Sequence, residues 1–234
     1  MNFIHMKNYE ELSIVVSKMM VETIESNPEA NVSLATGSSP SLAYDLFVDH
    51  VRARDTDVSA LRFTKLDEWC GIPMDHPSTC ESFIRIKILD PLKIPEDHYL
   101  SFDSMTTRYD EEARRIHEAL DKHPIDFCVL GLGKNGHLGL NEPSRALLPF
   151  AHVAMLADQT KTHPMIEGVV VNKGFTLGMQ EIMSSKRTLL IVSGDGKQEV
   201  YRKFLDQTVD PQLPASFLWL HDDVIVVVQN DRTN

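Results

Sequence analysis

Short apolar runs alternate with stretches of helical periodicity almost from one end of the chain to the other. No other feature restricts the fold as much. Strands separated by helices connect through right-handed crossovers, which gives an α/β fold with a mainly parallel, Rossmann-like sheet flanked by helices. Asn8 reads as an N-cap with Glu11 completing a box-like signal, and Leu12, Val15, Val16, Met19 and Met20 follow at helical spacing. Val32 to Ala35 predicts a strand, and a helix from Pro40 to about His50 follows, with proline at its first position. Leu61 to Leu66 predicts a second strand. Ser78 with Glu81 repeats the capping signal and opens a helix that Pro91 closes. Tyr99 to Phe102 reads as a short strand and Asp110 to Leu120 as a helix. Ile125 to Leu130, Val153 to Leu156, Leu189 to Val192 and Val224 to Val228 read as strands, with a helix over Lys197 to Leu205. Ile125 to Leu130 is continuously apolar, the pattern of a strand buried on both faces.

A chain of 234 residues suits one such domain, spanning 1–234, with no repeat or linker inside it. No stretch approaches the roughly 20 apolar residues of a membrane helix. The N-terminal segment lacks the apolar core of a signal peptide, so a cytoplasmic protein is expected. Cys70, Cys80 and Cys128 contain no C-x-x-C pair, which predicts reduced thiols and no zinc site. The net charge of −11 is unfavourable for a nucleic-acid binder. It leaves room for a small anion, since local N–H groups and lysines can hold a phosphate against a distant negative surface.

Ligands of parallel sheets bind at the carboxyl ends of the strands, and the polar motifs fall there. Thr36-Gly37-Ser38-Ser39-Pro40 offers hydroxyls, a glycine permitting close approach, and the N–H groups of a helix start. It suits a phosphate cradle without the Walker ending, and it equally suits an ordinary strand–helix turn. Lys65-Leu66-Asp67-Glu68-Trp69 places a carboxylate beside apolar residues, where burial raises its pKa toward that of a general base. In isolation a helix-capping or surface acid is the commoner outcome, and Glu68 is expected to be structural or solvent-facing.

Gly131 to Pro143 carries four glycines in nine residues, too many for a helix and suited to a tight ligand-facing loop. His137 and Glu142 lie close enough in sequence to pair, the carboxylate fixing the imidazole tautomer, and Asn135 could orient the same ring. Gly131, Gly133 and Gly136 formally match G-x-G-x-x-G, but Pro143 breaks the long helix that a dinucleotide needs. Ser193-Gly194-Asp195-Gly196-Lys197 puts a lysine at a helix start, where it opposes the dipole and suits a phosphate contact. Lys161 and His163 default to solvated positions, and Cys70 and Cys80, with no base adjacent in sequence, are expected to be inert.

Taken in order, these four segments resemble the glucosamine-6-phosphate deaminase and 6-phosphogluconolactonase superfamily, from Tyr9 to Val228. Leu66-Asp67-Glu68 with Gly136-His137 and Asn141-Glu142-Pro143 resembles the deaminase branch. Lactonases typically follow the histidine with Thr-Ala-Ser-Leu-Phe-Pro. Lys65 to Trp69, Ser78 to Glu81, Gly131 to Pro143 and Pro214 to His221 look most like the galactosamine-6-phosphate isomerases. The resemblance implies that Asp67 moves the proton from C2 to C1, that His137 opens the sugar ring, and that Glu142 supports His137. It also implies that Lys197, Thr36, Gly37, Ser38 and Ser39 bind the phosphate, with Gly136 beside them. Asn135 stands where some members carry aspartate. An arginine used by some members as a phosphate ligand has no counterpart, and His163 or Lys161 is the substitute expected. The resemblance therefore implies deamination of galactosamine 6-phosphate to tagatose 6-phosphate without a metal or organic cofactor. Glucosamine 6-phosphate, a sugar-acid lactone, and a non-catalytic sugar-phosphate sensor are the alternatives. No nucleic-acid or membrane partner is expected, and a homo-oligomer is compatible with the sequence.

Overall fold

The alternation read from the sequence becomes a seven-stranded sheet in the computed structural model, which describes residues 1–230. Its strands are β1 (Asn2–Met6), β2 (Asn31–Leu34), β3 (Arg62–Lys65), β5 (Tyr99–Leu100), β6 (Phe127–Gly131), β9 (Arg187–Val192) and β10 (Val224–Gln229). They lie in the order β1-β10-β9-β6-β2-β3-β5, and every neighbouring pair is parallel.

Both faces of the sheet are covered. On one side α1 (Tyr9–Ser26) and α2 (Ser38–Ala53) bring Leu12, Val16, Met20 and Phe47 onto Val32, Leu34 and Ile191. On the other, α5 (Tyr109–Lys122) and α7 (Gln198–Leu205) bring Ile116, Leu120 and Phe204 onto Leu130, Leu190 and Val226. Alternate residues of β9 feed the two layers, Leu189 and Ile191 one, Leu190 and Val192 the other. Among the described residues, no helix is long and apolar enough to cross a membrane.

Several boundaries differ from those expected. Helix α2 begins at Ser38, with Gly37 as its N-cap at φ +91°; Pro40 is tolerated two residues further in because the first turn's N–H groups have no intrahelical partner anyway. Thr79, not Ser78, caps α3 (Cys80–Ile84), its hydroxyl accepting from Ser82 N at 3.1 Å. The chain then widens into a π-helical turn over Arg85–Leu89 and continues as α4 (Asp90–Leu92). Pro91 therefore lies inside the last turn. The wide turn ahead of it takes up a residue that cannot donate to the α-helical ladder, and Lys93 at φ +54° ends the run. Lys197 is the N-cap of α7 rather than its first residue.

The Val153 to Leu156 run is a strand, but not of the parallel sheet. As β7 (His152–Met155) it pairs antiparallel with β8 (Lys173–Thr176), which pairs antiparallel with β4 (Asp67–Trp69). This small sheet has its own cluster of Trp69, Cys80, Leu140, Leu156, Ile166 and Val171. Strands β1, β4 and β8 are additional to those expected from the sequence. In the seven-stranded sheet, β2 and β6 are neighbours from which the chain leaves in opposite directions, to β3 and β9. A crevice opens beyond the carboxyl ends of strands at such a reversal.

Candidate active site

The crevice is a cavity of about 790 Å³ lined by the loops after β2, β6 and β9 and by the two 3₁₀ turns Thr160–Thr162 and Pro164–Ile166. Thr36, Gly37, Ser38, Gly133, Lys134, His137, His163 and Lys197 reach its wall. The first turn of α2 opens into it without a side-chain cap, so free N–H groups and the positive end of the dipole face the space. Lys197 Nζ donates to Ser39 Oγ at 3.2 Å, joining the β9 loop to that turn. Burial and the neighbouring Lys134 charge hold the Lys197 ammonium down at about 8. Lys134 is an exposed cation that motif reading passed over because it is an unspecified position in the glycine pattern; a second lysine in a loop facing a phosphate cradle was the available signal.

His137 lies over Gly133, where a Cβ would meet the ring Cδ2 at 2.4 Å, so glycine is what permits the ring's position. Its Nδ1 stands 3.5 Å from Glu142 Oε2, in ion-pair range but without hydrogen-bond geometry. Asn135 does not orient the ring directly. Its Nδ2 donates to Glu142 Oε2 at 2.7 Å, and its Oδ1 accepts the His137 backbone N–H at 3.2 Å. The amide thus holds both members of the pair. Glu142 Oε1 also accepts the Ala157 N–H at 3.3 Å. Burial alone would raise the Glu142 carboxyl, but His137 and its hydrogen-bond donors outweigh this and bring it down to about 2.

Asp67 begins β4 and is half-buried. Burial, reinforced by the Glu68 charge, raises its carboxyl to about 6, and His137, Cys80 and Lys65 act against the rise. Asp67 is not on the cavity wall itself. Cys80 Sγ is 3.6 Å from Asp67 Oδ1 and 3.3 Å from Thr36 Oγ1, and Thr36 lines the cavity. Cys80 thus has an acid and a hydroxyl beside it that lie far away in sequence, while burial keeps its thiol protonated and unreactive.

Glu68 points to the opposite face of β4 from Asp67, as strand alternation requires, but it faces protein and not solvent. It accepts Lys65 Nζ at 2.7 Å and the backbone N–H groups of Trp69, Cys80 and Glu81 at 2.8, 3.0 and 2.8 Å. Fully buried Lys65 also binds Glu81 at 2.9 Å.

Of the remaining expected ligands, His163 lines the cavity, its ring 3.7 Å from where a Gly37 Cβ would stand and 6.0 Å, centroid to centroid, from Trp69. Burial, with the charges of His137 and the two lysines, lowers its imidazole and favours the neutral form. Lys161 is turned away and pairs with Asp158 at 2.9 Å. Gly136 is also displaced from the wall. At φ +88° it is packed against Leu213, whose Cδ1 would be 2.3 Å from an added Cβ, so its role is to let the loop turn.

Comparison with known proteins agrees with this architecture. Residues 7–227 match the family of glucosamine-6-phosphate isomerases and 6-phosphogluconolactonases. The chain is 42% identical over 224 residues to the proposed deaminase AgaI of Escherichia coli (strain K12), covering 95% of this chain and 89% of that one. It is 31% identical to the glucosamine-6-phosphate deaminase of Shouchella clausii (strain KSM-K16), covering 100% and 97%. The solved structure of a monomeric glucosamine-6-phosphate deaminase superposes with a TM-score of 0.93 at 30% identity, covering 98% of each chain. The 6-phosphogluconolactonase of Trypanosoma brucei shares the fold, with a TM-score of 0.74 at 22% identity over 97% of this chain and 95% of that one. The chain belongs to the glucosamine-6-phosphate isomerase and 6-phosphogluconolactonase family and is an enzyme of its isomerase/deaminase type.

Proposed function

We propose that the protein converts galactosamine 6-phosphate and water to tagatose 6-phosphate and ammonia. The observation that carries the deaminase reading is Asp67. It is a half-buried carboxyl raised to about 6, within the field of His137 and one sulfur atom away from the Thr36 loop. A base near that value is ionised at neutral pH yet strong enough to take a proton from carbon.

The phosphate is held by the first turn of α2, Lys197 and Lys134, with neutral His163 beside them. Lys134 supplies a second cation there where some members use an arginine. Binding energy at that remote group holds the reacting carbons against the base. His137 passes a proton to the ring oxygen as the C1 hydroxyl loses one, which opens the pyranose to an aldehyde. Glu142 and Asn135 keep the imidazole in place. The C2 proton is then acidic, and Asp67 removes it to give an enolamine. Return of the proton to C1 leaves that carbon reduced to an alcohol and C2 oxidised to an imine. Water adds at C2 and ammonia leaves, so the proton count closes without an outside oxidant or reductant.

The galacto epimer is supported by the likeness of Lys65 to Trp69, Ser78 to Glu81 and Pro214 to His221 to the galactosamine-6-phosphate subgroup. Asn141-Glu142-Pro143, which supplies the carboxylate beside His137, speaks for a deaminase over a lactonase. Ammonia release is the test, measured with both 6-phosphorylated epimers. Preferential turnover of the galacto sugar is expected, and strong preference for glucosamine 6-phosphate overturns the substrate assignment.

A further inference from the structure

The proton-transfer scheme leaves one contact of Asp67 unused. Cys80, the first residue of α3, is 1% exposed, and its sulfur touches both Asp67 Oδ1 and Thr36 Oγ1, at 3.6 and 3.3 Å. The cysteine is fixed from behind, because its backbone N–H donates to Glu68 Oε1 at 3.0 Å and Glu68 is itself gripped by Lys65 at 2.7 Å. Burial, with the Glu68 and Asp67 charges, pushes the thiol well above its usual range, so it keeps its proton across working pH. A protonated thiol between a hydroxyl and a carboxylate has one consistent arrangement. Thr36 donates to sulfur, and sulfur donates to Asp67.

We propose that Cys80 is a positioning residue for the base, its S–H engaging Oδ1 of Asp67 so that Oδ2 is left to meet the sugar carbons. Oδ2 is the oxygen that the thiol leaves free, 3.7 Å from where a Gly139 Cβ would stand, so any side chain at 139 would crowd it. The contact also sets the strength of the base. The charged or titratable groups acting with Asp67 are Glu68, His137, Lys65 and Cys80, together with Tyr44 of α2. Of these, only Cys80 is hydrogen-bonded to the Asp67 carboxylate among the described residues. A thiol is a weaker donor than a hydroxyl. It therefore steadies the carboxylate without stabilising its anion as far as serine would, which keeps Asp67 basic. The Thr36 hydroxyl continues the chain to the phosphate cradle, so the cradle and the base share one string of donors.

The inference rests on Asp67 being the base, and its test separates the two ideas. Titration of the ¹³C-labelled Asp67 carboxyl by NMR, without substrate and assigned with Asp67→Asn, reads the contact directly in wild type, Cys80→Ala and Cys80→Ser. The expected order of midpoints is serine variant, wild type, alanine variant, with alanine higher than wild type by about half a pH unit. Acid limbs of kcat for ammonia release follow that order, while KM for the sugar phosphate stays within about twofold. A Cys80→Ala midpoint equal to wild type, or serine moving the same way as alanine, overturns the proposal. If the midpoints shift as expected but wild type releases no ammonia from either epimer, the deaminase reading fails and the Cys80–Asp67 contact stands.

Discussion

Asp67 binds its proton more tightly in the folded protein than in the unfolded chain. Its carboxyl is raised to about 6, so the native state holds an extra proton between the ordinary carboxylate range and that value, and stability falls as pH rises through this window. At neutral pH the ionised base is a cost to the fold. Asp67→Asn is therefore expected to cut ammonia release by at least about 10²-fold and to raise the melting temperature at pH 7. Calorimetry of the two proteins at pH 7 and pH 4 checks this, and the stability difference should shrink at the lower pH. Glu142 has the opposite sign. Lowered to about 2, it contributes stability above the ordinary glutamate value, and that contribution is lost as acid takes the pH down toward 2.

Asp67 and Lys197 together bracket the activity. Ionisation of Asp67 sets an acid limb of kcat/KM near 6, and loss of the Lys197 proton sets an alkaline limb near 8 in the free enzyme. Lys197→Met should raise KM by roughly tenfold or more with a smaller effect on kcat, and should remove the alkaline limb. A steady-state pH series on both proteins reads this. Gly133 offers a steric counterpart. An alanine Cβ would lie 2.4 Å from the His137 ring, so Gly133→Ala should lower kcat by displacing the imidazole, seen as altered His137 ring shifts in the NMR spectrum.

The short elements β4 and α3 matter out of proportion to their length. One carboxylate, Glu68, caps three backbone N–H groups and neutralises a lysine that no solvent reaches. Removing it leaves the three N–H groups without their acceptor and buried Lys65 with Glu81 as its remaining acid partner, and Glu68→Ala should destabilise the protein by about 3–5 kcal/mol in urea unfolding. The activity of the surviving fraction should fall too, because Cys80 and Asp67 lose their backing. Such elements were hard to read from sequence. Asp67-Glu68-Trp69 is too brief to show a period of two, and its partner Lys173–Thr176 is broken by Gly174, where Leu140 and the Glu68 carbonyl press too close for any side chain. The long apolar runs over β6, β9 and β10 were legible because burial on both faces leaves no polar interruption. The same rule explains the site. His137 and Lys197 follow such strands, Asp67 and the Thr36 loop follow the shorter β3 and β2, and all carry chemically distinctive side chains. Lys134 and Cys80 lie inside motif segments but at positions to which those motifs give no chemistry, and their places depend on which loops the sheet order makes neighbours.

At the scale of the molecule, a negative surface surrounds a small cationic pocket. The chain carries a net charge of −11, yet Lys134, Lys197 and the open turn of α2 share one cavity. The architecture also imposes an order on assembly. Among the described residues, β1 has β10 as its sole neighbour in the sheet, through the parallel register Asn2↔Ile225 to Met6↔Gln229. On the ribosome, β1 emerges before its partner and must wait, unpaired, until Val224–Gln229 has followed it. The β1 edge closes only once β10 is out, so nascent chains arrested before Val224 should expose a vacant apolar seam along β9 and bind chaperones that chains extended beyond β10 ignore.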